Sequence, residues 1–448
     1  MTNIEKYNDA FVEVFGVDSA VLNDSFSKDS VESWDSVHQL NIIALLEESF
    51  DVMFDPEDIM EFTSYGKGRE ILEKIRSRTL RVKVMARWEI KNVGMKGVAM
   101  AVPENVVKTS ELGLLSQEEA DVFDNTVGIK ERHIAPDTMC ASDMCQAAAE
   151  KLLEELGWEK DSIDVLLFES VTGDYRTPPT SCILQDRLGL SENCFCMDIP
   201  MGCCGCMYAI TVAGNLLTAG NVKRALLLVG DTALRMGSMK DKSRVPLFGD
   251  CGTAIALEYD ETASDIVVDF HTYGKGYEAL MTPHGGFRHP ATPASFEYED
   301  FGNGIVRAPI HTLINGMNVF SFAISRPPKS VEAFLDDYKI NRETDIDYFL
   351  IHQANKMIVD RIVKKLKLPK EKVPYNLEEF GNLGGASIPS LMVSRLRERL
   401  MQEETTLLMS SFGLGLSWGT MWMKTKPMVI PKMQILKWER TNYLIDKE

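Results

Sequence analysis

The chain has 448 residues, 45% of them hydrophobic, and carries 48 Lys+Arg against 66 Asp+Glu for a net charge of −18. That length calls for more than one domain, the acidity argues against nucleic-acid binding, and no apolar run reaches the roughly 18 residues of a membrane span. Nine cysteines behind an N-terminus with no signal-peptide core read as thiols of a reducing compartment, so the sequence points to a soluble cytoplasmic protein rather than a disulfide scaffold.

The charge is concentrated at one end. Residues 1–76 hold 17 acids and 6 bases, a net of −11 out of −18. Within them Ile4, Tyr7, Phe11, Val14 and Phe15 share one helical face, as do Val37, Leu40, Ile43 and Ala44. A third helix is predicted at 55–59 with Pro56 at its first position, and a fourth through 68–75, giving a small four-helix bundle. In Trp34-Asp35-Ser36-Val37-His38-Gln39-Leu40, Asp35 is placed to cap a helix whose first turn presents Ser36. A hydroxyl there suits a phosphodiester, because a helix start favours anions.

On these residues, residues 3–76 resemble an acyl carrier protein: four helices, strong acidity, and Asp-Ser followed by Val-x-x-Leu. The resemblance implies that Ser36 carries a 4′-phosphopantetheine arm, attached by a phosphopantetheinyl transferase. Val37 and His38 depart mildly from the family pattern. Residues 77–87, with four bases and no acid, read as a basic linker.

After residue 88 apolar strands alternate with helices. Strands are predicted at 93–100, 165–169, 195–199, 225–229, 253–257, 348–351 and 406–410. Helices are predicted at 142–156, 180–188, 204–219, 316–324, 329–338, 356–365 and 387–400. The alternation predicts an α/β body with largely parallel sheets.

All nine cysteines fall between Cys140 and Cys251. The group Cys194, Cys196, Cys203, Cys204 and Cys206 lacks paired zinc-ligand spacing, so no metal site is expected, and most of these thiols read as small buried hydrophobes. Cys203 and Cys204 differ by position. They sit at a strand-to-helix turn, where a helix dipole lowers a thiol pKa and exposes a nucleophile. Position alone does not choose between them. In the second half His352 ends an apolar strand, Asn382 lies in a glycine-rich loop before a helix, and the glycine-bearing turn 412–419 offers N–H groups to an oxyanion.

Together these segments make residues 88–424 resemble a β-ketoacyl-ACP synthase III of the thiolase superfamily. The segment Gly128-Ile129-Lys130-Glu131-Arg132, the turn Cys203-Cys204-Gly205, the segment Leu247-Phe248-Gly249-Asp250, the complete His352-Gln353-Ala354-Asn355 motif and the Gly381-Asn382 loop occur in the family's order. The resemblance selects Cys203 over Cys204 as the nucleophile. It implies a five-layered α-β-α-β-α fold with halves at 88–260 and 261–424, a tail at 425–448, and a homodimer. Its catalytic set would be Cys203, His352 and Asn382, with an oxyanion site from the backbone of Cys203 and the Gly413-Leu414-Gly415 turn. The implied reaction transfers an acyl group from a thioester to Cys203, then condenses it with a decarboxylating malonyl thioester, with no metal or redox cofactor.

Three departures qualify the match. Val122-Phe123-Asp124-Asn125-Thr126-Val127-Gly128 lacks the tryptophan and arginine with which relatives hold coenzyme A, which favours a carrier-borne primer from the fused domain or a separate one. Leu414 replaces a usual glycine. Residues 425–448 run past the family's usual end and read as a packed tail. The rival readings are a non-decarboxylating acyltransferase acting on an alcohol or amine, and a non-catalytic carrier-binding protein.

Overall fold

The computed structural model describes residues 2–31, 33–50, 52, 54–77 and 86–437. Most of the basic linker lies outside these residues, and so do the side chains of Ser36 and Val37. The chain divides into two compact units: Met1–Val84 with Asn315–Lys329, and Met85–Ile314 with Ser330–Glu448.

The first unit contains helices α1 (Asn3–Phe15), α2 (Ser36–Phe50), α3 (Pro56–Glu61) and α4 (Tyr65–Ser77). Thr2 and Glu5 form a capping box at the start of α1, and Gly16 ends it in the left-handed region. The core is aromatic: Phe11 packs against Tyr7, Phe26, Trp34, Phe62 and Tyr65. The buried faces are Tyr7, Ala10 and Phe11 of α1 and Ile42, Ile43 and Leu46 of α2. Ile4, placed on the apolar face by its spacing, is instead 45% exposed, in the first turn of α1.

The second unit begins with β1 (Arg87–Ile90), so Arg87, the last linker residue, opens a strand. Then follow β2 (Val93–Pro103), α5 (Gln117–Thr126), α6 (Ala141–Leu156), β3 (Val165–Glu169), α7 (Thr180–Leu188), β4 (Phe195–Ile199), α8 (Gly205–Leu217), β5 (Arg224–Asp231) and β6 (Cys251–Tyr259). The second half supplies β7 (Ile266–Thr272), the part of α9 (Gly316–Tyr338) from Ser330 on, β8 (Tyr348–Ile351), α10 (Lys356–Lys365), α11 (Ser387–Ser394), β9 (Thr405–Gly413), β10 (Ser417–Thr425) and β11 (Gln434–Leu436). The two helices predicted at 316–324 and 329–338 are one helix that runs through Pro327 and Pro328.

Two sheets organise this unit. One has the order β11-β2-β6-β5-β3-β4 and the other β1-β7-β10-β9-β8. Side chains of β3 and β5 alternate between two buried faces. Leu166, Phe168, Leu226 and Leu228 pack on α6 and α7, while Val165, Leu167, Leu227 and Val229 share a core with α8, α11 and the second sheet. On the far side of the second sheet, Ser330 and Phe334 of α9 meet His271 of β7 and Arg87 of β1. The layers therefore run helix, sheet, helix, sheet, helix.

The halves repeat one plan. Strands β2-β6-β5-β3 pair antiparallel, antiparallel, parallel, and β7-β10-β9-β8 pair in the same sequence. The repeat extends to the turns before the central helices. Gly202–Cys204 forms a 3₁₀ turn leading into α8, and Gly384–Ala386 forms one leading into α11. Both open on a glycine in the left-handed region, Gly202 at φ 55° and Gly384 at φ 58°.

Candidate active site

Cys203 is partly accessible at the turn between β4 and α8, whereas Cys204 is fully buried and donates its thiol to the Ser417 carbonyl at 3.3 Å. The 413–415 turn closes directly over Cys203. A Cβ on Gly413 would lie 2.7 Å from Cys203 Sγ, so only glycine fits. A Cβ on Gly202 would meet Leu414 Cδ1 at 2.5 Å, which means that Leu414 occupies the space behind the nucleophile turn. The backbone N–H groups of Leu414 and of Cys203 itself bear on the thiol and draw its pKa down.

They do not prevail. Burial, then the charges of Asp231 and Glu169, push the Cys203 thiol up to about 12. The expectation that a helix start would depress this pKa is thus corrected: burial first, and then the two acids beneath the turn, outweigh the N–H groups. Glu169 ends β3 and Asp231 ends β5 on the inner face, where strand alternation calls for apolar side chains. Each was a missed signal, an acid at the inward parity of an apolar strand.

His352 follows β8 and donates its backbone N–H to Ser410 O at 2.9 Å. Its ring is buried, edge-on to Phe412 at 5.4 Å, with Nδ1 free of any partner. Burial holds its pKa down to about 4, so at neutral pH the imidazole is uncharged with one N–H donor. Its motif neighbours are structural. Gln353 Nε2 donates to Ile351 O at 2.8 Å, and Asn355 caps α10 by accepting from Ile358 N–H at 2.8 Å.

Asn382 is held by backbone bonds to Leu247 and Gly249. Its Oδ1 accepts from Gly384 N–H at 3.0 Å, leaving the amide nitrogen as a donor. The Leu247–Asp250 segment exists in this form because a Cβ on Gly249 would lie 2.1 Å from Phe380 O. Arg132, fully buried, donates to Thr109 at 2.7 Å and fixes the 128–132 segment. Cys203 and His352 are linked through consecutive residues, Phe412 on His352 and Gly413 on Cys203, while the Gly384–Ala386 turn follows Asn382. Of the clustered cysteines only Cys204 and Cys206 are buried, while Cys194 and Cys196 at the start of the edge strand β4 are partly exposed, which corrects the expectation that most of the group are buried; elsewhere Cys145 and Cys251 are buried, Cys140 is partly exposed and Cys182 is exposed.

Residues 197–276 match the family described as 3-oxoacyl-[acyl-carrier-protein (ACP)] synthase III, and residues 339–425 match its C-terminal counterpart. A solved 3-oxoacyl-(acyl-carrier protein) synthase from Burkholderia xenovorans shares 34% identity over 78% of this chain and 99% of its own, at a TM-score of 0.73. The chain belongs to the ketoacyl-ACP synthase III family. A β-ketoacyl-[acyl-carrier-protein] synthase III of Streptococcus pneumoniae is 29% identical over 72% of this chain and 96% of its own. The synthase III of Pseudomonas aeruginosa superposes with a TM-score of 0.65 at 26% identity, covering 76% of this chain and all of that one. The protein is accordingly an acyltransferase of the condensing kind. Among the described residues no helix is long and apolar enough to cross a membrane.

The surface of the synthase body is uneven in charge. Helix α5 exposes Glu118, Glu119 and Asp121, whereas α10 and the loop after it expose Lys356, Lys364, Lys367 and Lys370.

Proposed function

We propose that the body is a decarboxylating condensing enzyme whose acyl-enzyme forms on Cys203, and that the N-terminal unit is its acyl carrier domain, modified on Ser36. The observation that carries the first part is the partly accessible Cys203 thiol under the Leu414 N–H, with His352 and Asn382 on the neighbouring loops. In the first step the Cys203 S–H gives up its proton, sulfur bonds to the acyl carbon, and the donor's C–S bond breaks to release its thiol, which takes the proton. The N–H groups of Cys203 and Leu414 hold the tetrahedral oxyanion, a contribution worth about 3 kcal/mol per donor.

In the second step the malonyl C–C bond to its carboxylate breaks and releases carbon dioxide. The freed electron pair bonds to the acyl carbon, and Cys203 leaves as a thiolate that is reprotonated. Neutral His352 and the Asn382 amide donate hydrogen bonds to the thioester oxygen on which the negative charge gathers. A His352 held down to about 4 keeps that donor role without competing as a strong base.

For the carrier reading, the support is the start of α2. Asp35 Oδ1 accepts the His38 N–H at 2.9 Å, which caps the helix that Ser36 opens and leaves a helix N-terminus suited to a phosphodiester. A phosphopantetheine arm on Ser36 would supply a thiol for carrying acyl groups. The segment 122–128, which lacks the tryptophan and arginine, favours a carrier-borne primer over coenzyme A. The edge strand β4, with Phe195 half exposed, offers a second copy a strand to pair with in a homodimer.

Intact-mass spectrometry after treatment with a phosphopantetheinyl transferase, acyl thioesters and malonyl thioester tests both parts. The expected result is a pantetheine mass lost in Ser36→Ala, an acyl mass lost in Cys203→Ala, and carbon dioxide release. Acyl transfer to an alcohol or amine without carbon dioxide would replace condensation by simple transfer.

A further inference from the structure

Glu169 is fully buried, and its carboxyl is met by the backbone N–H groups of Gly202 and Met201 and by no cationic side chain. It is wedged between two turns. A Cβ on Gly205 would lie 1.8 Å from its Oε1, and a Cβ on Gly385 would lie 2.1 Å from its Oε2. One side of the carboxyl therefore touches the start of α8, next to the nucleophile, and the other touches the loop that follows Asn382. Beside it, a Cβ on Gly384 would lie 2.9 Å from Asp231 Oδ2, so consecutive glycines of the second turn rest on the two acids.

The internal repeat gives this position meaning. Leu167 of β3 and Leu350 of β8 occupy the same inward site of matching strands, and two residues further on stand Glu169 and His352. The turns correspond likewise, Cys203 to Gly385. Glu169 thus faces Gly385 from the position that His352 holds in the other half.

Resting on the reading of Cys203 as the acyl acceptor, we propose that Glu169 is a positioning residue for acyl transfer that works as an uncharged acid, joining the Cys203 turn to the Asn382 turn, and that loss of its proton limits acyl transfer on the alkaline side. Desolvation, then the charge of Asp231, raise the Glu169 pKa well above the ordinary carboxylate value, and the N–H groups of Gly202 and Met201 oppose this only in part. The groups facing it are themselves acids: Asp231 of β5, whose own pKa rises to about 6 by burial, and the thiols of Cys203, Cys204 and Cys206. Cys145 of α6 faces both acids, and Asp250 and Cys251 at the head of β6 face Asp231. An ionised Glu169 disfavours the Cys203 thiolate, whereas a neutral one removes that opposition while still filling the wedge. Below its raised pKa the acid is neutral and the thiol acylates. Above it the added negative charge holds the thiol protonated.

The test follows acylation of Cys203 in the full-length chain by intact mass, using the butanoyl thioester of N-acetylcysteamine across neutral to alkaline pH. Glu169→Gln keeps the shape and removes the titration. The ratio of alkaline to neutral acylation rate should exceed that of the unaltered protein by about ten-fold, the effect of one unit in the thiol pKa. Equal ratios in the two proteins overturn the proposal while leaving Cys203 as acyl acceptor. No acyl mass on Cys203 at any pH overturns the underlying reading as well. Should Glu169→Gln fail to fold, infrared spectroscopy of the unaltered protein with ¹³C-labelled glutamate carboxyls decides the matter. A protonated-carboxyl band at neutral pH that disappears at alkaline pH supports the proposal, and its absence sinks it. Asp231 and Asp250 carry no label and do not contribute.

Discussion

The turn that carries Cys203 and the turn that follows Asn382 are two copies of one device, each a left-handed glycine, a 3₁₀ turn and a central helix. What differs is what fills the space in front. In the first copy the corresponding positions are Gly413 and His352, and the partly accessible Cys203 thiol lies directly against Gly413. In the second copy the equivalent positions are Asp231 and Glu169, and their carboxyls close on Gly384 and Gly385. On the proposed function the first copy is the reaction site, and the other is the packed support that follows Asn382. A duplicated fold can thus keep its backbone geometry on both sides and decide which side reacts by a handful of inward residues at strand ends.

The sharpest way to break this asymmetry is to remove the thiol. Cys203→Ala leaves the two turns nearly alike and should lower condensation by about 10⁴-fold or more, comparable to the loss of a nucleophile in other acyl-transfer enzymes. The measurement is product formation together with the acyl mass. Retention of normal turnover would mean that the thiol turn is not the reacting copy.

Next in size is Asn382→Ala, which strips the second copy of its donor while leaving both acids. Loss of one preorganised donor is worth about 10²–10³ in rate. Here the loss should fall on carbon dioxide release, whereas loading of Cys203 should change far less. Comparing single-turnover acylation with decarboxylation separates the two, and an equal fall in both would show that the loop supports the thiol turn instead.

Strands at 165–169, 195–199 and 348–351 and helices at 180–188 and 356–365 could be read because each is an uninterrupted apolar or amphipathic run with clear breakers. Strands β7 and β10 were not read: Ile266–Thr272 and Ser417–Thr425 contain His271, Asp269, Trp418 and Gly419 in patterns that mimic loops. His352 and Asn382 stood out because their motifs are local. Glu169 and Asp231 did not, since an acid after an apolar run looks like a strand end until the register shows it pointing inward. The duplication was invisible for a similar reason, because it lives in strand pairing and turn geometry and leaves little trace in residue identity.

The acids also give the second copy a pH signature. Asp231 rises from an ordinary 3.8 to about 6 and Asp250 to about 7, both chiefly by burial. A raised carboxyl binds its proton more tightly in the folded state, so stability is greatest below the unfolded pKa and falls as pH climbs through the folded value. Between about pH 4 and pH 6 the Asp231 contribution amounts to about 3 kcal/mol. Denaturant midpoints measured across that window should decline, and Asp231→Asn should flatten the part of the slope below about pH 6. An unchanged slope would mean that the hydrogen bonds from Ser170, Val171 and Thr172 keep Asp231 ionised.

The smallest effect is expected where the two turns already agree most closely. Cys204 corresponds to Ala386, and both are fully buried, so Cys204→Ala copies the second turn into the first without adding volume. The change deletes one weak thiol hydrogen bond to Ser417 O and a small buried volume, a loss of about 1–2 kcal/mol. Because Cys204 faces the strand β10 and not the gap under Gly413, acyl loading of Cys203 should persist in the variant, read by peptide mass spectrometry. Loss of acylation with the fold intact would move the nucleophile one residue along the chain. It would also remove the correspondence on which the contrast between the reacting turn and the supporting turn depends.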